Sequence, residues 1–316
     1  MTGRELVCQV CESSGLERLL DLGNQPLCND FLPAGDAPEP QTYYPLCLCY
    51  CHHCALVQLD YVIPTEFSFG DQYTYLTGSS ASLIEYYSQL ARRLTRKFGL
   101  RPGDTVIEIG SNDGTFLKAF RSLGMEVLGI EGASKSWEIS VADGIQVVHQ
   151  FFGLGSASTI KERLRPGSKV RLVLAMNVLA HTADINDFLA GVTQVMDPDT
   201  AFVSQSHWLA ALTRNFEFDT IYHEHLRYYT LNSLMRLFER HGLSIEDAEI
   251  TDFYGGSILA FARKSTSARS EGVAAILAEE DEADVIQSLR DMKQVLLTNR
   301  ASLLNLLSDI RNSGKR

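Results

Sequence analysis

Four consecutive titratable or hydrogen-bonding side chains near residue 222 form the densest reactive cluster in the sequence. Tyr222, His223, Glu224 and His225 follow one another directly. Their ordinary pKa values span the range needed for proton transfer near neutral pH, so the cluster predicts acid–base chemistry. The His-x-His spacing could instead bind a metal ion, but a single such pair without a third ligand at matching spacing is a weak metal signal.

Two further candidate side chains, Asn177 and His181, follow an apolar run over residues 170–176 that predicts a buried strand. Open α/β sheets bind ligands beyond the carboxyl ends of their strands, which makes both residues site candidates. Tyr75 is a candidate for another reason, because the stretch Tyr-Leu-Thr-Gly-Ser-Ser that it begins is polar enough to form a pocket wall.

A polar turn follows another predicted strand. The run Val106–Ile109 is rich in β-branched residues, as is typical of a buried strand in a parallel sheet. Gly110 and Gly114 allow the chain to turn sharply and approach a ligand, and the helical spacing that follows places amide N–H groups at the same crevice. The turn thus predicts a cofactor cradle.

The side chains around this turn indicate which cofactor it holds. Asn112 and Asp113 supply acceptors where the phosphates of a dinucleotide would need donors. Glu108 at the strand end is expected to face the same place, and Glu131 closes the next apolar run, where an acidic residue can accept hydrogen bonds from two ribose hydroxyls. Phe152 lies in a later loop where an adenine ring could stack, although a core position is equally favoured. Together these residues favour a cationic or neutral ligand.

Four cysteines form two Cys-x2-Cys pairs, Cys8 with Cys11 and Cys51 with Cys54. Two such pairs supply four thiolates at the spacing that tetrahedral zinc prefers, and four protein ligands leave no open position, so the site should be structural. Several neighbours could compete as ligands but are interpreted as packing or surface residues, namely Cys47, Cys49, His52 and His53. Cys28 is interpreted as a small buried residue.

The remaining pattern alternates strands with helices, which indicates an α/β sheet. We expect seven strands with a terminal antiparallel pair; the predicted strands span residues 106–109, 127–130, 146–148, 170–176, 201–203, 245–251 and 258–262. Residues 270–310 have the apolar spacing of one or two long helices, with Val285, Leu289, Met292, Leu296 and Leu303 on one stripe.

The composition is that of an ordinary globular protein, with 45% hydrophobic and 21% charged residues. The net charge of −11 argues against nonspecific binding to nucleic acid or to an anionic membrane, because both require a basic face. No apolar run reaches the roughly 18 residues that span a bilayer, and the N-terminus has no apolar signal core. We therefore expect a cytoplasmic protein with reduced thiols.

These motifs, taken in order, resemble those of the sugar C-methyltransferases of antibiotic biosynthesis. The glycine turn with Glu131 is similar to the cofactor motif of S-adenosylmethionine (SAM) dependent methyltransferases. The wider resemblance includes the four paired cysteines, Asp21-Leu-Gly-Asn-Gln-Pro-Leu27, Tyr73-Thr-Tyr75, Gly110-Ser-Asn-Asp-Gly-Thr115, Asn177-Val-Leu-Ala-His181, Tyr222-His-Glu-His225 and Gly255-Gly-Ser257.

The resemblance implies a Rossmann-like class I fold and methyl transfer from SAM to carbon 3 of a nucleotide-linked 4-keto-deoxysugar. The sugar side of the site would be lined by Tyr75, His181, Tyr222, Glu224 and His225. The SAM side would include Glu108, Gly110, Asn112, Asp113, Gly114, Glu131, Phe152 and Asn177. His225 is the expected base, oriented by Glu224, while Tyr222, His181 and Tyr75 would donate hydrogen bonds to the enolate oxygen.

The resemblance also implies a domain division into a zinc-binding module (1–68), a methyltransferase domain (69–265) and a helical extension (266–316). Relatives in that family carry a further Rossmann-like domain beyond the long helix, which this sequence lacks. The acceptor could therefore differ, a partner chain or second copy could complete the site through the helix, or the polypeptide could be truncated. Two other functions stay open, namely methyl transfer to a different small molecule and a catalytically inactive SAM-binding or protein-interaction module.

Overall fold

The fold is described from a computed structural model, which describes residues 6–29, 41–63, 75–264 and 268–314. Tyr73 and both predicted domain borders, 68/69 and 265/266, lie outside these residues, so the division into domains stays a prediction. The strands in chain order are β1 (Glu17–Gln25), β2 (Tyr44–Cys51), β3 (Leu56–Leu59), β4 (Thr105–Ile109), β5 (Glu126–Glu131), β6 (Val147–His149), β7 (Val170–Met176), β8 (Ala201–His207), β9 (Arg227–Tyr228), β10 (Ser244–Thr251) and β11 (Ser257–Arg263).

The α-helices alternate with the strands from residue 81 onward. In chain order they are α1 (Ala81–Lys97), α2 (Thr115–Ser122), α3 (Ser134–Ala142), α4 (Ala157–Arg163), α5 (Ile185–Val195), α6 (Leu209–Asn215), α7 (Leu231–Glu239), α8 (Glu271–Ala283) and α9 (Val285–Asn312).

Seven of the described strands form the main sheet, in the order β10-β11-β8-β7-β4-β5-β6. Strands β4 to β8 run parallel to their neighbours among themselves, whereas β11 is antiparallel to both β8 and β10. This confirms the predicted α/β class, the seven strands and the terminal antiparallel pair. The carboxyl ends of the parallel strands therefore meet at one edge of the sheet.

The two faces of the sheet are covered by different helices because side chains alternate along each strand. In β4, Val106 belongs to the core that contains Tyr87 of α1 and Phe116 of α2. Ile107 and Ile109 belong to the core on the other face. Helix α1 begins after Ser80, whose hydroxyl accepts a hydrogen bond from the Leu83 amide. Central strand β4 is thereby buried on both faces, which fixes the turn that follows it.

A second sheet joins the cysteine-rich module to the region that carries the main sheet, in the order β1-β2-β3-β9. Strand β9 comes directly after the Tyr222–His225 cluster, and it pairs antiparallel with β3 through Val57 with Tyr228 and Gln58 with Arg227. The sequence did not predict β9, because two residues are too short for a periodic signal. The two predicted domains consequently share one sheet.

The C-terminal stripe is buried only over its first half. Val285, Leu289 and Met292 are buried, as predicted, whereas the Leu303 side chain is 56% exposed. No helix in the described part of the chain is both long enough and apolar enough to cross a membrane.

A buried carboxylate attaches α8 to the body of the fold. Oε1 of Glu280 accepts hydrogen bonds from the indole N–H of Trp208 at 2.7 Å and from the amide of Leu231 at 2.6 Å. Oε2 accepts from the amide of Asn232 at 3.3 Å. Leu231 and Asn232 begin α7, so the carboxylate satisfies amide groups that a helix start leaves without intrahelical partners. Burial raises the pKa of Glu280.

We expect Glu280→Ala to lower the free energy of unfolding by about 2–4 kcal/mol, because the indole and the helix amides lose a buried acceptor. The matched control is the adjacent Glu279→Ala, which removes a solvent-exposed pair with Arg214 and should change stability by at most about 0.5 kcal/mol. Urea denaturation of both variants provides the measurement. Equal effects of the two substitutions would contradict this account of α8.

Candidate active site

A cavity of about 1020 Å³ lies at the carboxyl ends of the parallel strands. Every side chain predicted for the sugar side of the site lines it: Tyr75, His181, Tyr222, Glu224 and His225. Of the residues predicted for the SAM side, the lining includes Gly110, Asn112, Glu131, Phe152 and Asn177. The fold thus brings together residues that are up to 150 positions apart in the chain, from Tyr75 to His225.

Hydrogen bonds to both ring nitrogens fix the tautomer of His225. Nδ1 lies 2.9 Å from the carbonyl oxygen of Thr220, which can only accept, so Nδ1 carries the proton. Nε2 lies 2.9 Å from the hydroxyl of Tyr222. In the neutral ring Nε2 therefore bears the lone pair, and the Tyr222 O–H donates to it. This places a basic nitrogen inside the cavity.

The environment keeps this histidine neutral. Burial, followed by the neighbouring His181, lowers the pKa of His225 well below its ordinary value. Burial also lowers the pKa of His181 to about 4, although the backbone carbonyl of Glu224 favours its charged form. The two rings lie 4.7 Å apart between centroids. Two cations at this distance would repel each other, so both rings are uncharged near neutral pH.

Glu224 does not orient His225, contrary to the sequence prediction. Its Oε1 accepts a hydrogen bond from Nδ2 of Asn29 at 2.6 Å and lies 3.6 Å from the Cys28 thiol. Strand β9, which follows, pairs with β3 of the cysteine-rich module, so the Glu224 side chain points toward that module and away from His225. The Thr220 carbonyl orients His225 instead. Cys28 is exposed, so its prediction as a buried residue was wrong.

Tyr75 forms a pair that the sequence did not predict. Its hydroxyl lies 2.9 Å from that of Tyr254, which also lines the cavity. Tyr254 has a positive φ of 56°, which is unusual for a residue with a side chain. Burial, followed by the hydrogen bond with Tyr75, raises the pKa of Tyr254, so this phenol stays protonated and able to donate.

The SAM side of the cavity is built on the turn after β4. Gly110 has a φ of +68°, and a Cβ there would meet a methyl group of Val178 at 2.6 Å, so only glycine fits this turn. Glu131 accepts hydrogen bonds from the amides of Asn112 and Ala133, each at 2.7 Å. These bonds fix the Glu131 carboxylate at the cavity wall. Each of its oxygens keeps a lone pair that can accept another hydrogen bond.

Three residues predicted for the SAM side lie outside the cavity lining. Glu108 is only 4% exposed, and burial raises its pKa well above the ordinary value, so its prediction as a second carboxylate facing the cavity is corrected. Asp113 accepts hydrogen bonds from the amides of Gly78 and Thr115, which attaches the start of α2 to the segment before α1. Gly114 packs against Ser140, where a Cβ would lie 2.6 Å from the hydroxyl oxygen.

The other two predicted residues on this side are part of the cavity wall. Phe152 lines the cavity and packs edge-on against Phe188 at 5.2 Å between centroids, so it has a core contact as well as a cavity contact. Asn177 lines the cavity at a positive φ of 58°, immediately after β7. Their roles as cofactor contacts stay predictions.

Sequence reasoning missed a second acid–base pair in the cavity. Nε2 of His207 donates to Oε2 of Glu217 at 3.0 Å, and both residues line the cavity. Burial lowers the pKa of His207, while the Glu217 carboxylate opposes that shift. The prediction failed because it ended this strand at residue 203, whereas β8 continues to His207. The carboxyl end of the strand, where ligands bind, was therefore predicted four residues too early.

The charge of the cavity is one-sided. The described lining residues include six carboxylates but neither lysine nor arginine; the carboxylates are Glu131, Asp184, Asp187, Glu217, Asp219 and Glu224. Such a lining attracts a cationic ligand and does not suit a phosphate chain. The positively charged sulfonium of SAM fits this lining. The lone pairs of Glu131 can accept hydrogen bonds from ribose hydroxyls, and the rings of Phe151 and Phe152 can stack on adenine.

The four paired cysteines converge at the N-terminal sheet. Sγ of Cys8 lies 3.4 Å from that of Cys54, and Sγ of Cys11 lies 3.5 Å from that of Cys51. All four sulfur atoms lie within 4.8 Å of one another, and three of the four residues are buried. Tetrahedral zinc with Zn–S bonds of about 2.3 Å separates its sulfurs by about 3.8 Å, so the set fits one structural zinc ion.

Two family models match the chain, one over the cysteine-rich module and one over most of the main sheet. The family described as a zinc binding domain matches residues 8–69. The family described as a methyltransferase domain matches residues 83–248, just over half of the chain.

Curated relatives are consistent with these matches. The C-methyltransferase NovU of Streptomyces niveus is 34% identical over 275 residues, which are 86% of this chain and 64% of NovU. This chain thus spans less than two thirds of that relative's length. The ubiquinone biosynthesis O-methyltransferase of Rhodopseudomonas palustris (strain HaA2) is 27% identical over 131 residues, which are 42% of this chain and 47% of that protein.

Solved structures add a weaker likeness. Magnesium protoporphyrin IX methyltransferase (ChlM) of Synechocystis PCC 6803 with bound SAH has 17% sequence identity and a TM-score of 0.44, over 58% of this chain and 83% of that chain. Since the methyltransferase domain model covers most of the seven-stranded sheet and the cavity beside it, the chain belongs to the SAM-dependent methyltransferase family, here joined to a zinc binding domain.

Proposed function

We propose that this protein transfers the methyl group of SAM to the carbon next to a ketone, at C-3 of a nucleotide-linked 4-keto-deoxysugar. The observation that carries the proposal is the lone pair of His225 Nε2, held inside the cavity by the Nδ1–H bond to Thr220 and bonded there to the Tyr222 hydroxyl. The similarity to NovU, which is named a C-methyltransferase, supports carbon as the acceptor atom.

A neutral histidine suits this chemistry because a carbon next to a ketone gives up its proton once the enolate oxygen is stabilised. We infer that a bound ketone takes over the hydrogen bond of Tyr222, which exposes Nε2 of His225 to the substrate. The C–H bond then breaks, its proton moves to Nε2, and its electron pair becomes the enolate. When bound, SAM would supply the methyl group that this carbon accepts, and the bond to sulfur would break to leave a neutral thioether.

The aromatic hydroxyls of the cavity can stabilise the enolate. Tyr222 donates from one side, and Tyr75 with its partner Tyr254 lies in the same lining. His181 is neutral, because burial lowers its pKa to about 4, so it can donate a hydrogen bond but brings no charge that would oppose protonation of His225. Glu224, which accepts a hydrogen bond from Asn29, would also accept one from a sugar hydroxyl.

The charge of the cavity indicates how such a substrate would enter. Since the described lining carries no lysine or arginine, we infer that the sugar enters the cavity while the diphosphate of the nucleotide lies beyond it. In this arrangement the acidic lining faces the neutral sugar and the cationic cofactor, and the phosphates avoid it.

A hydroxyl acceptor is the second candidate, because ubiquinone biosynthesis O-methyltransferases match part of the same region. His225 would then remove an O–H proton. The two candidates differ in whether the acceptor needs a ketone.

Incubation with SAM and a panel of nucleotide-linked 4-keto-deoxysugars should give a product heavier by one methyl substitution. The matched control replaces each ketone by a hydroxyl and should give no product. In deuterated water without SAM, the keto-sugar should exchange the hydrogen at C-3. Methylation of both members of a pair would favour the hydroxyl acceptor, and the absence of heat on titration with SAM would indicate a protein-interaction module that does not bind SAM.

We expect His225→Asn to lower kcat by about 10²–10⁴-fold, the usual size of a general-base loss. Asparagine can still donate to the Thr220 carbonyl, so the loop is preserved while the basic Nε2 is lost. SAM affinity by calorimetry should be unchanged. The matched control is His223→Asn, since Nε2 of His223 bonds to the carbonyls of Tyr44 and Pro45 instead of facing the cavity. Near-full turnover of His225→Asn would place the base elsewhere, with His207 the next candidate.

The pH dependence of kcat/KM should reflect the low pKa of His225. A base is active when unprotonated, and burial together with His181 holds this pKa well below the ordinary 6.5. Activity should therefore stay level from neutral pH down to pH 6.5 and decline only at lower pH, where the ring takes up a proton. Initial rates at low substrate concentration measure this limb. An acid limb centred at or above pH 6.5 would contradict the assignment.

A further inference from the structure

A second cluster of possible metal ligands lies in the N-terminal sheet and shares no residue with the four-cysteine set. It consists of Cys47, Cys49 and Asp60, whose ligand atoms all lie within 4.8 Å of one another. Cys47 and Cys49 are alternate residues of β2, so their side chains point to the same face of the sheet. Asp60 follows β3, and its amide donates to the Cys47 carbonyl at 3.0 Å, which fixes the three residues relative to one another.

The cluster is buried and poorly compensated. Cys47 and Cys49 are almost fully buried, and the Asp60 side chain is only 11% exposed. Among the described residues, Oδ1 of Asp60 has no hydrogen-bond partner although it is inaccessible to solvent. A buried acceptor without a partner is destabilising, so a bound cation would stabilise this oxygen.

The charges around the cluster favour a cation. Oδ2 of Asp60 lies 3.3 Å from the guanidinium of Arg18, but that side chain is 66% exposed and contacts only one side of the carboxylate. Asp21 lies opposite Cys47 in the β1–β2 register and adds another negative charge at the rim. Two thiols and two carboxylates thus face one partly solvated arginine.

We propose that Cys47, Cys49 and Asp60 bind a second divalent metal ion, of the class of Zn²⁺ or Cd²⁺. Two thiolates and one carboxylate form a donor set that suits borderline-soft cations, and the distances among the three donors are compatible with tetrahedral ligation. Oδ1 of Asp60 would supply the oxygen ligand. Three protein ligands leave a fourth position for water, so this ion should bind more weakly than the one held by four cysteines.

The test is the metal stoichiometry of the full chain. Purified protein saturated with Zn²⁺ and then desalted should contain close to two zinc ions per chain by elemental analysis. Titration of metal-free protein with Co²⁺ should show a second equivalent with a weaker thiolate-to-cobalt absorption band than the first, because only two sulfurs contribute.

Variants separate the two sites. The double variant Cys47→Ser, Cys49→Ser should lose the second equivalent and keep the first, whose spectrum also shows that the four-cysteine site is folded. Asp60→Asn should weaken the second equivalent by at least about tenfold. Cys28→Ser, which lies outside both clusters, is the matched control and should keep both equivalents.

A wild-type protein that saturates at one metal ion per chain would overturn the proposal, whatever the folding of the variants. A double variant that still binds two metal ions would overturn it as well.

Discussion

The fold around the cavity depends on the buried guanidinium of Arg227, which is 1% exposed. Its donors reach Oε1 of Gln9 in the first cysteine turn, the hydroxyl of Tyr229, and the carbonyl oxygens of Leu179 and Thr182 on either side of His181. A buried charge is tolerated only when hydrogen bonds replace its lost hydration. One side chain therefore attaches the zinc-binding turn to the loop that carries a catalytic candidate.

This attachment connects the structural metal site to the cavity. The cysteines hold Gln9 and the short strands beside it, β9 joins those strands immediately after His225, and Asn29 reaches back to Glu224. The cysteine-rich module thus contributes Asn29 to the wall of the cavity. Loosening it would disturb His181, Glu224 and His225 together, since each is fixed through contacts with the N-terminal sheet or with the residues next to it.

The cavity lining combines neutral histidines and tyrosines with carboxylates. Neutral His181 and His225 line the cavity together with the hydroxyl-bearing rings of Tyr75, Tyr222 and Tyr254, where we propose that the acceptor binds. Glu131 lines the cavity at the turn after β4, where a cationic cofactor fits, whereas Glu217 bonds to His207 and Glu224 bonds to Asn29. The low pKa values of His181 and His225 follow from their burial. A cavity with this distribution suits a neutral acceptor group next to a positively charged donor.

The sequence by itself determined the parts whose signal is local. Apolar periodicity located all seven strands of the main sheet, the Cys-x2-Cys spacing identified the zinc ligands, and the cluster around residue 222 identified side chains that line the cavity. Only the tertiary structure decided which of these groups meet. In the tertiary structure His225 bonds to Thr220 and not to Glu224, Glu224 bonds to Asn29, and His207 bonds to Glu217. Glu108 is buried and does not line the cavity. The physical reason is that hydrogen-bond partners and burial are set by long-range strand pairing, such as that of β3 with the two-residue β9, and such pairing leaves no periodic trace in the chain.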